Sequence, residues 1–185
     1  MKTISIIIIA FGFFSFMKIQ PADFDKVKFE QNLNHQLFKT SDSILNPLTI
    51  KTEFGYDGIP DSNLYELKST VLVNNDTLRQ MRFASAEKIN EETIELTIFE
   101  TSPLYHQELT VQIVKDEFKM NFDYDISGRP IERKIKTQSQ KLTLKSNKFK
   151  KGEIIFGKLS FKGICIEGCS ENEIKIEGYF KTEIK

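Results

Sequence analysis

The chain has 185 residues with 26 basic and 26 acidic side chains, so its formal net charge is zero. A chain of this length suits one domain with a sizeable core. Lysine alternates with glutamate along much of the sequence and tryptophan is absent, so we expect neither a basic patch for a nucleic-acid partner nor a stacking platform for sugars or bases.

Residues 1–20 are predicted to be an N-terminal signal peptide. Lys2 supplies the positive start, and residues 4–17 form an uncharged apolar run. As a helix this run would be about 21 Å long, shorter than the ~30 Å hydrocarbon core of a membrane. We therefore expect export to the periplasm, the cell surface or the medium, with no stable membrane span after cleavage. An uncleaved N-terminal anchor is the alternative. No cysteine follows the run, so we do not expect a lipoprotein.

Residues 21–46 have a weak pattern, and we expect irregular chain with one helical turn there. Residues 47–185 are predicted to form one all-β domain, because apolar and polar residues alternate with the period of a half-buried strand. Residues 84–92 are interpreted as a short helix or a loop. The predicted strands are 48–54, 64–73, 77–83, 93–100, 108–114, 117–124, 141–145, 153–162 and 173–184.

About nine short antiparallel strands favour a β-sandwich, because stacking two sheets limits the number of exposed edges. The alternative closure is an up-and-down β-barrel of the kind that lipocalins form. The last three strands are predicted to make two successive hairpins. No long helical pattern interrupts the strands, which argues against a parallel sheet of βαβ units.

Three glycines are predicted to shape the strands and turns. In residues 153–162 the apolar positions change from even to odd numbers at Gly157, which predicts a β-bulge there. In residues 173–184 the apolar set keeps one parity, and Gly178 leaves a gap that a large neighbour can fill. Gly128 is expected in the turn that follows residues 117–124.

Cys165 and Cys169 are the only cysteines and lie near the predicted tip of the last hairpin. In an exported chain they are predicted to form a disulfide that pins this tip. No histidine lies near them in sequence, so we do not expect a zinc site.

Residues 122–131 allow a metal-binding interpretation. Asp123, Asp125, Ser127 and Gly128 match the first half of a calcium-binding loop. Lys134 stands where the bidentate glutamate of that loop belongs, so the leading interpretation is an Asp/Gly turn that joins two strands. Calcium is kept as the alternative, and no other metal or cofactor is expected.

The same segment resembles one unit of the YD (Rhs-type) repeat over about ten residues. The matching residues are Tyr124, Asp125, Gly128 and Arg129. The resemblance implies a β-hairpin at this position.

The sequence supports three classes of function. The leading hypothesis is a binding module for an unknown protein or envelope component, because β scaffolds carry their binding residues on loops and edges. The first alternative is a carrier whose phenylalanines line a barrel around a small apolar ligand. The second is an envelope-polymer hydrolase, which would depend on His106 with Ser102 or Glu108, or on two carboxylates. We expect no catalytic residue.

Overall fold

The protein is described here by a computed structural model, which covers residues 24–39, 68–101, 105–126 and 133–185. The predicted signal peptide 1–20, the predicted strand 48–54 and residues Ser102, Ser127 and Gly128 lie outside these ranges.

The described residues form eleven strands and one short helix. The strands are β1 (Asp25–Lys26), β2 (Lys28–Phe29), β3 (Val71–Val73), β4 (Asp76–Met81), β5 (Phe83–Lys88), β6 (Thr93–Thr101), β7 (Tyr105–Val114), β8 (Glu117–Ile126), β9 (Lys134–Leu144), β10 (Ile154–Glu167) and β11 (Glu173–Glu183), and helix α1 is Gln36–Lys39.

The strands build two packed sheets. Sheet A has the order β1-β8-β7-β6-β5, and sheet B has the order β2-β9-β10-β11-β3-β4. Within the described ranges the sheets do not close into a barrel, so the predicted sandwich is confirmed and the barrel alternative is not the fold. The antiparallel β9–β10 and β10–β11 pairs confirm the two successive hairpins.

The core fills the space between the two sheets. Alternate side chains of β6, β7 and β8 point inward, as their sequence pattern predicts. Phe118, Phe161 and Phe180 are fully buried there, and burial of such a ring stabilises the fold by about 2–3 kcal/mol. The carrier hypothesis assumed that phenylalanines line a barrel, whereas these three rings pack between two sheets.

The chain crosses between the sheets on both sides of the sandwich. On one side β1 pairs with β8 of sheet A, β2 pairs with β9 of sheet B, and the buried Val27 lies between them. On the other side β4 passes into β5 through Arg82, and Ala86 bridges to Ile184 at the end of β11. Each crossing covers part of a sheet edge that would otherwise offer unpaired backbone groups.

The β-bulge predicted at Gly157 is not found. Gly157 pairs in regular register with Phe180 of β11 and Leu144 of β9, and Phe156 beside it faces outward. A Cβ atom at Gly157 would lie 2.3 Å from Cζ of Phe180. The glycine therefore makes room for an aromatic ring, and the inward face of β10 keeps its odd numbers as far as Cys165, after which a second register shift leaves Ile166 as an extra residue.

The switch between odd-numbered and even-numbered inward positions occurs in β9 instead. The β9–β10 register shifts between Lys162 and Gly163, where Gln138 is the extra residue on β9. Inward positions of β9 change from odd-numbered residues such as Ile135 to even-numbered ones such as Leu142 across this bulge. The bulge therefore changes which side chains face inward in the first part of β9. This part was not predicted as strand.

Gly178 keeps its predicted face but has a different neighbour from the one expected. It lies in line with the buried Ile176 and Phe180. A Cβ atom here would meet the backbone of β3, at 2.5 Å from Cα of Val71. The gap is filled by a neighbouring main chain and not by a large side chain.

Residues 84–92 do not form the suggested helix or loop throughout, because Phe83–Lys88 is strand β5. Ala84 and Ala86 point into the core and are buried, and β5 pairs with β6 along its whole length. Small alanine side chains give a weak strand signal. Tertiary packing against β6 and β11 decides this segment.

The N-terminal part, 24–39, holds the expected helical turn as α1, together with the short strands β1 and β2. The ring of His35 stacks on that of Tyr179 at 4.0 Å between centroids, and the Leu37 amide donates to its Nδ1 at 3.2 Å. Burial lowers the pKa of His35 below its usual 6.5. Among the helices of the described ranges, none has the length and apolarity that crossing a membrane requires.

We expect the fold to lose stability as the pH falls below about 6.5, the ordinary pKa of histidine. Between that value and the lower pKa of folded His35, the unfolded chain binds more protons than the native one, so unfolding becomes easier with added acid. Protonation also removes the Nδ1 acceptor of the Leu37 amide. Thermal unfolding at pH 7.5 and pH 5.5 measures this loss. It should shrink in His35→Phe, and an equal loss in both proteins would contradict the assignment.

Candidate functional site

The end of the sandwich that carries Cys165 and Cys169 has a polar tier where the apolar core stops. Glu100, Gln107 and Tyr124 are direct neighbours on β6, β7 and β8, and all three are buried. We call this the disulfide end. Buried polar groups need partners, so the tier fixes how the surrounding chain packs.

Glu100 and Gln107 are each held by a residue next to the β4–β5 crossing. The Nε atom of Arg82 donates to Glu100 Oε2 at 2.6 Å, and Nε2 of Gln107 donates to the Arg79 carbonyl at 3.0 Å. Arg79 in turn pairs with Glu171 at 2.7 Å. These contacts tie sheet A to the β4 edge of sheet B, which is a structural role.

Tyr124 is enclosed by Arg133, which directly precedes β9, and by the β10–β11 loop. The guanidinium carbon of Arg133 lies 4.3 Å from the centre of the Tyr124 ring, and Nη1 of Arg133 donates to the Tyr124 carbonyl. The Tyr124 hydroxyl accepts from the Ser170 amide at 3.3 Å. The side chain of Arg133 is only 4% exposed. A cation over a desolvated ring is favourable, so this contact joins the two sheets at the disulfide end.

The predicted disulfide joins Cys165 of β10 to Cys169 in the β10–β11 loop, with the two Cα atoms 6.0 Å apart. This separation is within the usual range for a disulfide. Because Ser170 follows directly and contacts Tyr124, the bond also holds the hairpin tip against β8.

A groove of about 480 Å³ opens beside this end, between the edges of β8 and β9. Two of its apolar lining residues are Phe122, which is almost fully buried, and Ile135, which is half-buried. Ile166 of β10 stands at the rim and is 65% exposed. The lining residues are Asn121, Phe122, Asp123, Arg133, Lys134, Ile135, Lys136 and Ile166. Exposed apolar surface rimmed by polar groups is typical of a binding site.

Side chains cap the backbone of the β8 edge along this groove. The Met120 amide donates to Oε1 of Gln140 at 2.7 Å, and the Tyr124 amide donates to Oδ1 of Asp123 at 2.8 Å. These donors cannot also pair with an added strand. The groove is therefore suited to a side chain from a partner, and not to strand addition along β8.

The calcium candidates Asp123 and Asp125 lie on the outer face of sheet A, where side chains alternate toward solvent. Asp125 lies 3.9 Å from Nη2 of Arg133, so a cation of the protein already stands beside it. Within the described ranges no three histidine, cysteine, aspartate or glutamate side chains cluster as metal ligands do. Ser127 is outside these ranges, and calcium stays a prediction.

The hairpin that the YD-repeat resemblance implies is not formed. Strands β8 and β9 flank this segment, but β8 pairs in sheet A and β9 pairs in sheet B. The connection 127–132 therefore joins the two sheets.

His106 lies on the outer face of β7 next to Glu108, with 3.4 Å between Nε2 and Oε2. Thr110 donates to the other oxygen of Glu108 at 3.1 Å. A hydrolytic triad needs the histidine between the nucleophile and the acid, whereas here the carboxylate stands in the middle. Ser102 is outside the described residues, so the hydrolase hypothesis stays a prediction.

Sequence reasoning missed Arg133, the Arg82–Glu100 pair and the groove. Each depends on contacts between residues that are distant in sequence or on different sheets, and no local pattern marks them. A charge signal was visible, because residues 133–152 hold eight basic and no acidic side chains. Comparison of the chain with protein-family models, with curated proteins and with solved structures finds no match.

Proposed function

We propose that this protein is an exported binding module that recognises another protein through the groove between β8 and β9. One observation carries the proposal: the exposed Ile166 lines the same groove as the apolar side chains of Phe122 and Ile135. Burial of apolar surface is the usual driving force of association, and the disulfide at Cys165 restrains the end of β10 on which Ile166 lies.

Charge around the rim defines the chemistry of the partner. Arg133 lies near Asp125, and Lys134 pairs with Glu167 at 2.9 Å. Lys136 is exposed and has no ion-pair partner within the described part of the chain. We therefore expect the partner to insert an apolar side chain that is followed closely by an aspartate or glutamate, which would pair with Lys136.

Selection of a random peptide library on the immobilised, oxidised protein tests this proposal. Enriched peptides are expected to carry an apolar residue within two positions of an acidic one. Their affinity should fall at least tenfold in Ile166→Asp, because a carboxylate then occupies the apolar rim. In Lys136→Glu it should fall severalfold, and more at low salt than at high salt.

The matched control is Ile89→Asp, which changes an exposed isoleucine in the β5–β6 turn at the opposite end of the sandwich. Peptide affinity should be unchanged in this variant. A selection that enriches nothing dependent on Ile166, or an equal loss in both isoleucine variants, would overturn the proposal.

A further inference from the structure

Although the formal net charge of the chain is zero, the two halves of the sandwich carry charges of opposite sign. Residues 83–126, which supply β5 to β8 of sheet A, contain ten acidic and three basic side chains. Residues 133–185, which supply β9 to β11 of sheet B, contain six acidic and thirteen basic side chains. The expected alternation of lysine with glutamate is therefore wrong for β9 and β10, although it holds in β11.

Five of these lysines form a line on the outer face of β9 and β10. Beyond the charged pair of Lys134 with Glu167, five successive cross-strand positions on this face each pair one lysine with one uncharged residue, and the lysine changes strand at each step. The positions are Lys136 with Ile164, Lys162 with Ser139, Lys141 with Ser160, Lys158 with Thr143, and Lys145 with Phe156. We call this the lysine row.

The spacing of the lysine row follows from sheet geometry. Diagonal neighbours on adjacent strands are about 8 Å apart, and the eight residue steps of β10 from Phe156 to Ile164 span about 26 Å. No lysine in the row lies directly opposite another, which reduces repulsion while the line of charge stays continuous. The row is long in one direction, and the lysines that flank it, Lys28 on β2 and Lys175 on β11, are each paired with a glutamate.

Most of this charge is available to a ligand. Lys136, Lys141, Lys145 and Lys158 are exposed. Within the described residues only Lys162 of the row forms an ion pair, with Glu173 at 2.9 Å. The ammonium groups of Lys145 and Lys158 lie 5.4 Å from the rings of Phe156 and Tyr179, respectively.

Two acidic residues of β11 border the row on one side. Glu173 pairs with Lys162, and Glu177 stands opposite Ser160. On the other side the row is bordered by β2, where Lys28 stands opposite Thr143 and pairs with Glu30 at 3.1 Å. Strand β9 itself has no acidic residue. The ligand is thus directed along β9 and β10, between these two flanks.

We propose that the lysine row binds a linear anionic polysaccharide that carries carboxylate groups. The row supplies charges at regular intervals along a line, which suits a polymer. The hydroxyl groups of Ser139, Thr143 and Ser160 lie between the lysines and can both donate to and accept from sugar hydroxyls. Binding by charge and hydroxyl groups needs no tryptophan platform, in agreement with the composition of the chain.

Two other polyanions fit the face less well. A bilayer surface would engage a wide patch, and this row is a single line. Single-stranded nucleic acid is gripped through stacking of bases on exposed aromatic rings, whereas Phe156, the aromatic residue of the row, is half-buried beside Lys145.

The test measures binding of a fluorescent polygalacturonate oligosaccharide of about ten sugars, by anisotropy at several salt concentrations. The wild-type protein should bind it with an affinity that falls steeply with salt. In the double variant Lys141→Gln, Lys158→Gln the affinity at low salt should fall at least tenfold, and the dependence of log K on log salt should become shallower by up to two.

Two comparisons keep this test specific. The control Lys115→Gln, Lys119→Gln removes the same charge from the β7–β8 hairpin of sheet A and should bind like the wild type. The methyl-esterified oligosaccharide should not bind. Equal losses in the two double variants, or binding of the ester, would overturn the proposal.

Further ligands separate the classes of polyanion. If phosphatidylglycerol vesicles or single-stranded DNA bind as tightly as polygalacturonate, the assignment to a polysaccharide is wrong. The uncharged groove variant Ile166→Asn should keep its polysaccharide affinity, so the failure of either proposal can be told from the failure of the other.

Discussion

Alanine at Gly178 is expected to lower the free energy of unfolding by about 3 kcal/mol. Its Cβ would lie 2.5 Å from Cα of Val71 and 2.6 Å from the carbonyl oxygen of Thr70. These are backbone atoms of the strand that pairs with β11, so no side-chain rotation can relieve the overlap. Relief requires β3 to move away from β11. Chemical denaturation of the purified variant measures the loss.

Gly152 provides a matched control for this variant. Both glycines have a positive φ that disfavours a side chain, +156° at Gly178 and +83° at Gly152, but a Cβ at Gly152 would have no atom within 4 Å. Gly152→Ala should therefore cost only the backbone strain, about 1 kcal/mol. If the two variants lost the same stability, the close approach of β3 would have no energetic role and the assignment of Gly178 would be wrong.

Removal of the Arg82 side chain is expected to cost about 3 kcal/mol, the lower end for breaking a buried ion pair. The carboxylate of Glu100 is 3% exposed and receives its hydrogen bond from Arg82 at 2.6 Å, so in Arg82→Ala it would be left buried without this partner. The Arg82 side chain is 32% exposed. We therefore expect the loss of the Arg82 side chain to cost more stability than the loss of the Glu100 charge.

The reverse variant, Glu100→Gln, should cost about 1 kcal/mol, because Arg82 can turn toward water and the amide oxygen still accepts a hydrogen bond. The double variant Arg82→Met, Glu100→Leu should recover most of the stability, since neither charge remains. Denaturant unfolding of all three proteins gives the comparison. A loss in Glu100→Gln as large as that in Arg82→Ala would contradict the argument.

The sandwich could be predicted from the sequence because β6, β7 and β8 each have one face toward solvent and one face in the core. Apolar and polar residues then alternate directly in the sequence. Gly157 shows where this reasoning stops. A glycine beneath an aromatic ring and a glycine at a bulge leave the same pattern of apolar residues. The distinction depends on Phe180 of the neighbouring strand, whose register is not a local property.

The candidate sites were less predictable than the fold. Cys165 and Cys169 were found because they are the only pair available. Arg133 reaches Tyr124 through a connection between sheets, and the local motif suggested a hairpin. Lys158 and Lys141 are 17 positions apart in sequence and become neighbours only through the β9–β10 register. Residues that act together through strand pairing cannot be grouped until the pairing is known.

The opposite charges of the two sheets give the molecule a permanent electric dipole directed across the sandwich. Near a polyanionic surface such a dipole experiences a torque within about one Debye length, some 8 Å at physiological salt. The molecule would turn sheet B toward the surface before any contact forms. The groove between β8 and β9 opens at the side of the sandwich, where neither broad face covers it. Orientation by the field would therefore leave this groove accessible from solution.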